Sequence, residues 1–143
     1  PTGEILPVEG TPLDFRTPHA IGERIGRTDY EPLAFGNGYD HNWALDKPEA
    51  GTVSLAAEAY EPATGIRMKI YTDQPGLQFY AGQGMDGKEV GKRGDRHNFR
   101  SGIALETQNF PDAPNHDNFP SSVLRPGETY TQHTVYAFET DEQ

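Results

Sequence analysis

The sequence predicts an all-β chain, and three observations carry that prediction. The 143 residues include 16 Gly and 12 Pro, which demand frequent turns. Apolar residues recur at the two-residue period of a strand in several short runs. Only residues 19–26 suggest a helix, and Gly22 weakens that stretch.

Residues 53–60 alternate Val53, Leu55, Ala57 and Ala59 against Ser54, Glu58 and Tyr60, as a half-buried strand does. After Glu61-Pro62-Ala63-Thr64-Gly65 the pattern resumes, with Ile66, Met68 and Ile70 opposed to Arg67, Lys69 and Tyr71. The two runs predict a β-hairpin with one wet face. Residues 77–81 and 101–108 predict further strands, bounded by Pro75-Gly76 and by Pro111. A last strand is expected over 133–139, entered through the turn Arg125-Pro126-Gly127-Glu128. Residues 29–50 and 82–100 read as loops, and loops of that length in a compact chain are usually functional.

Composition narrows the function. A formal net charge of -10, with no Lys/Arg run to offset it, would repel a phosphate backbone and argues against nucleic-acid binding. The absence of cysteine excludes a disulfide framework, a thiolate metal site and a cysteine nucleophile. No apolar run approaches the roughly 18 residues that would span a bilayer, and no charged-then-apolar signal segment opens the sequence, so no membrane partner is expected. Neither repeats nor a linker-like shift in composition divides the chain, and residues 1–143 read as one unit.

Two stretches carry chemistry. The strand at 101–108 puts Ile103 and Leu105 on one face, expected to be core, and Ala104, Glu106 and Gln108 on the other. A carboxylate and an amide beside a small residue suit a polyhydroxylated ligand; an ordinary solvated face is the alternative. The stretch Gly36-Asn37-Gly38-Tyr39-Asp40-His41-Asn42-Trp43 gathers an acid, an imidazole, amides and the single Trp. Carboxylates and amides pair with sugar hydroxyls, and aromatic faces cover the C–H surface of a pyranose. An Asx-rich turn with Trp43 anchored in the core reads the same residues equally well. No short-spaced His/carboxylate set lies on one predicted strand face, so no metal is expected.

Several motifs, taken in order, resemble the aldose 1-epimerase (galactose mutarotase) family. They are Gly38-Tyr39-Asp40-His41-Asn42-Trp43, Thr72-Asp73-Gln74-Pro75-Gly76-Leu77-Gln78-Phe79-Tyr80, Ala104-Leu105-Glu106-Thr107-Gln108 and Pro111-Asp112-Ala113-Pro114-Asn115-His116. The opening from Pro1-Thr2-Gly3-Glu4-Ile5 to Gly10-Thr11-Pro12-Leu13-Asp14-Phe15-Arg16 and the closing Leu124-Arg125-Pro126-Gly127-Glu128-Thr129-Tyr130 are similar as well. Residues 81–87 depart from the Thr-Gly-Asn-Phe pattern that follows the Gln-Phe-Tyr motif in the family.

The resemblance implies a fold and an activity. The fold is a large antiparallel β-sandwich of the galactose-mutarotase type, of which this chain supplies the C-terminal half. The activity is interconversion of the α and β anomers of free aldohexoses such as glucose or galactose, without a cofactor. Carried over by motif, Glu106 is the general base, Asp40 holds sugar hydroxyls and Phe79 contacts the sugar from beneath its ring, with Gln108 a further substrate contact. The general acid, a histidine, is expected from an N-terminal half outside this chain, bound to it as a companion segment. His19, His41, His97, His116 and His133 are all expected to be structural or solvated. Partial burial would help Glu106 act as a reversible base. The expected compartment is the cytoplasm, with a periplasmic or secreted location left open. Two other readings stay open: a carbohydrate-binding module using Asp40, Trp43, Phe79 and Glu106 without catalysis, and a glycoside hydrolase. The hydrolase would pair Asp40 with Glu106, at a separation of about 5.5 Å for retention or about 6.5 to 9.5 Å for inversion.

Overall fold

A computed structural model describes residues 2–141, so Pro1 of the opening motif lies outside the described residues. The expected all-β architecture is observed. Two three-stranded sheets form among the described residues, one in the order β1-β4-β5 and the other β2-β3-β6. Their strands are β1 (Asp40–Ala44), β2 (Ser54–Glu61), β3 (Ile66–Thr72), β4 (Gly76–Tyr80), β5 (Ala104–Gln108) and β6 (Thr134–Thr140). Among the described residues helix is confined to α1 (Ile21–Arg24), α2 (Glu31–Gly36) and a single 3-10 turn at Ala113–Asn115. No helix among the described residues is long and apolar enough to cross a membrane.

The chain divides into two compact units. One comprises Pro1–Gly3, Trp43–Leu77 and Thr107–Gln143; the other comprises Glu4–Asn42 and Gln78–Glu106.

The first unit holds the β2-β3-β6 sheet, antiparallel throughout. Its hairpin turns where the sequence places it. Gly65 takes φ +71, a conformation costly for residues with a Cβ, and its N–H donates to the Glu61 carbonyl at 2.9 Å. Cross-strand pairing puts Ala57, Ile70 and Tyr136 on one face, followed by Ala59, Met68 and Phe138. The opposite face is charged: Arg67 pairs with Glu58 and lies over the Tyr60 ring, and Lys69 bonds Glu139 at 2.9 Å. One expectation fails here. Leu55 pairs with Tyr71 but Ala57 pairs with Ile70, leaving Ala56 as an extra residue. This bulge moves Leu55 to the charged face, opposite Ala57, although the two share a face in an unbroken strand.

Buried polar groups in this unit are satisfied. The fully buried Thr72 hydroxyl donates to the His133 carbonyl at 3.1 Å and accepts from the Gln74 N–H. Lys47 donates to the carbonyls of Thr52 and Thr72 and to the Ser54 hydroxyl, and burial pushes its amine below the usual lysine range. Asp73 closes the β3 end of the sheet, accepting from the His133 N–H at 3.0 Å and facing the His133 ring at 3.0 Å. Burial raises the pKa of this carboxyl, but the bonds from Gln74 and His133 outweigh it and hold the group below the usual range.

The second unit contains α1, α2 and the long loop at 82–100. Sequence reading places residues 29–50 in a loop, whereas α2 and β1 form there. Short helices and strands of half-buried residues carry too few periodic positions to stand out from a polar stretch. The 82–100 segment is a loop as expected. It is cross-linked from within, by Gly87 N–H to the His97 carbonyl, Gly91 N–H to the Asp95 carbonyl and an isolated bridge between Val90 and Arg96.

Removing the Asp73 carboxylate should destabilise the fold by about 1–3 kcal/mol at neutral pH, the usual cost of losing a charged hydrogen-bond acceptor. Because its folded-state pKa is depressed, that contribution is complete above the ordinary Asp value of about 3.9 and disappears as pH falls through the lowered folded value. Urea unfolding of Asp73→Ala beside wild type, from pH 7 down to pH 3, should show the two curves converging in acid.

Candidate functional site

The site grows from the way α2 stops. Asn37 takes a left-handed conformation at φ 51 and caps the helix, and the Gly38 N–H reaches back to the Leu33 carbonyl at 3.1 Å. Gly38, at φ +133, lies against Ile25 and Arg100, where a Cβ would come within 3.3–3.4 Å of both. The turn delivers Tyr39 into the core, 0 % exposed, and Asp40 into the open at the start of β1.

Aromatic rings anchor this arrangement. Tyr39 stacks on Phe79 at 5.2 Å between centroids, and Phe15 packs edge-on against both, at 5.2 Å from Tyr39 and 6.1 Å from Phe79. The Tyr39 hydroxyl donates to the Pro12 carbonyl at 3.2 Å, and burial pushes the phenol above its ordinary pKa. Arg24 lies over the Phe15 ring at 5.1 Å and donates to the Asp14 carbonyl at 2.8 Å.

Asp40 is held on two sides. Its N–H donates to His41 Nδ1 at 3.0 Å, and His41 Nε2 contacts the Pro32 carbonyl at 2.9 Å. Together these bonds require the neutral ring with its proton on Nε2. The Asp40 carboxylate accepts at Oδ1 from Gln78 Nε2 at 2.9 Å, while remaining exposed. Such an acceptor, already oriented by an amide and open to solvent, is suited to bidentate pairing with adjacent hydroxyls.

The predicted site residues divide. Asp40 on β1 and Gln78 on β4 are joined directly, and β5, on the other side of β4, carries Glu106. Glu106 is exposed, without the partial burial that would help a reversible base, and its carboxylate has no hydrogen bond or ion pair among the described residues. Ile103, expected in the core, is 42 % exposed. It precedes the first residue of β5, and β5 has a neighbour on one side only in its sheet. Gln108 is half-buried and belongs to the first unit, whereas Asp40, Gln78, Phe79 and Glu106 belong to the second.

Phe79, expected to contact a sugar from beneath its ring, lies in the core. It is 8 % exposed, and consecutive strand residues face opposite ways, so its ring lies on the face away from Gln78. Phe79 therefore packs against Tyr39 in the core. Gln78 itself is a residue that sequence reading misses. Its signal was available, since it is the one amide alternating with buried Leu77 and Phe79 on β4.

Three further histidines have local partners. His116 faces Asp112 at 3.1 Å and packs on Phe119, His19 faces Glu23, and His133 faces Asp73. No three His, Asp or Glu side chains converge as a metal would need among the described residues.

The sequence model of a family described as aldose 1-epimerase matches residues 1–137. Galactose mutarotase from Rattus norvegicus is 41 % identical over 138 residues, 96 % of this chain and 38 % of that protein. The corresponding protein from Mus musculus is 42 % identical over the same coverage. A crystal structure of the GalM/aldose epimerase homologue from C. elegans matches with a TM-score of 0.80 at 30 % identity, covering 99 % of this chain and 41 % of that one. The chain thus spans about two fifths of the length of these relatives.

If Phe79 supports the site from the core, Phe79→Ala should cost about 3–5 kcal/mol of stability, as buried aromatic truncations do. Thermal unfolding measures this directly. A loss under about 1 kcal/mol would mean that the ring is not packed as described.

Proposed function

The chain belongs to the aldose 1-epimerase family, and on that premise we propose that it supplies the general base and part of the sugar site of an enzyme that interconverts the anomers of free aldohexoses such as glucose or galactose. The observation that best supports this reading is the oriented pair of Asp40 and Gln78 on strands of the sheet that also carries Glu106.

The chemistry needs only proton movement. Glu106 removes the proton from the anomeric hydroxyl while an acid protonates the ring oxygen, and the C1–O5 bond opens to the free aldehyde. Rotation about C1–C2 and reclosure on the other face give the second anomer, with base and acid exchanging roles on the return. Asp40, oriented by Gln78, accepts hydrogen bonds from sugar hydroxyls in both anomers.

The acid is proposed to be a histidine from an N-terminal part of the family domain, acting as a companion to this chain. The β2-β3-β6 sheet offers an apolar face for such a segment, where Phe138 is 69 %, Ile66 47 % and Tyr136 45 % exposed. A surface of this kind is a liability unless covered.

Polarimetry of freshly dissolved α-galactose and α-glucose with the full-length protein tests the assignment. Glu106→Gln should slow anomer exchange about 10²- to 10⁴-fold, the range for loss of a positioned acid–base group. Undiminished exchange in Glu106→Gln would remove Glu106 from the mechanism. Sugar binding with no acceleration by wild type would identify a carbohydrate-binding protein instead.

A further inference from the structure

We propose that Gln83, in the long loop after β4, is a positioning residue that sets Asp40 for sugar binding; this rests on the reading of Asp40 as the hydroxyl-holding residue. The connector between α2 and β1 exposes three main-chain carbonyls just ahead of Asp40, at Gly36, Asn37 and Tyr39. All three are taken up by the segment at 81–100. Gln83 Nε2 donates to the Gly36 carbonyl at 2.9 Å and to the Tyr39 carbonyl at 3.1 Å. The Tyr39 carbonyl also accepts from the Ala81 N–H at 2.9 Å, and Arg100 Nη2 donates to the Asn37 carbonyl at 3.1 Å.

The side chain is specific to this task. One amide nitrogen carries two N–H donors, which a carboxylate or an apolar side chain of the same length lacks. Its Oε1 is buried with no hydrogen-bond partner among the described residues, an arrangement that costs stability. A residue placed here for stability alone would not leave that acceptor unsatisfied. Bonding the carbonyl of Tyr39 orients the peptide plane whose other end is the Asp40 N–H, the group bonded to His41.

The backbone is strained at the points this brace joins. Positive φ is uncommon for residues other than glycine, yet two of the three such residues, Asn37 and Arg100, are bonded to each other through the Arg100 guanidinium. Gly82, next to Gln83, takes φ +72, and a Cβ there would lie 2.4 Å from the Gly102 carbonyl. Only glycine allows the loop to close this tightly and present the amide to the connector.

The test is a double-mutant cycle in the full-length protein, with galactose KM, kcat and the unfolding midpoint measured for Gln83→Met, Asp40→Ala and the pair. Gln83→Met keeps the length, removes both donors and also removes the unsatisfied oxygen. It should raise KM roughly tenfold while kcat stays within about threefold, as expected when binding common to ground and transition states is lost. The midpoint should change little. In the Asp40→Ala background the same substitution should change KM less than about twofold, because two residues acting through one contact are not additive. Gln83→Asn, which keeps the donors on a shorter side chain, should fall between wild type and Gln83→Met, and it carries the test should Gln83→Met fail to fold. Independent KM effects, or a lowered midpoint with KM unchanged, would overturn the proposal. If Asp40→Ala raises KM and Gln83→Met does not, the proposal alone falls. If Asp40→Ala leaves KM unchanged, the sugar-binding reading of Asp40 falls and takes the proposal with it.

Discussion

Tyr39 is buried completely, and the polar side of the candidate site follows from that burial. A large ring with a polar tip is stable in a core only when its apolar faces are packed and its hydroxyl is bonded. Phe79 and Phe15 provide the packing and the Pro12 carbonyl receives the hydroxyl. Once Tyr39 points inward, the next residue of an extended chain points outward. Asp40 is therefore exposed because its neighbour is not. The same alternation on β4 buries Phe79 beneath Tyr39 and frees Gln78 to meet the Asp40 carboxylate.

This coupling explains why a polar site stands on a hydrophobic cluster. The aromatic stack supplies rigidity without specificity, and the residues proposed to meet a ligand are the outward members of the same strands. The proposed site residues are thus one residue out of phase with the core. A substitution in the stack would displace the site, and a substitution at Asp40 or Gln78 would leave the stack intact.

Much of this was legible in the sequence, for identifiable reasons. The hairpin of β2 and β3 has long runs of strict alternation and a glycine-closed turn, so its existence was plain. Its bulge at Ala56 was not, because an inserted alanine changes the facing of its neighbours without changing their character. The strand β1 was hidden because its residues Asp40–Ala44 include four half-buried or polar side chains whose order reflects a site and not a core. Glu106 and Asp40 were singled out through motif resemblance, which carries identity but no contacts. Phe79 was therefore singled out without regard to its burial, and Gln78, present in the same motif, was passed over. Distinguishing the two requires only the inward or outward parity of β4, which Leu77 and Phe79 set by being apolar on both sides of Gln78.

The central claim is that sugar binds on the outward face that carries Asp40 and Gln78. An amide chemical-shift titration of the full-length protein with galactose tests it most directly, because each backbone N–H reports its own surroundings. The account predicts saturable shifts concentrated at residues 40–42, at Gln78 including its side-chain amide, and at residues 104–106. Shifts that avoid these residues and gather instead around the cavity of about 520 Å³ in the first unit, lined by Asp73, Gln74, Phe110 and Tyr130, would contradict it.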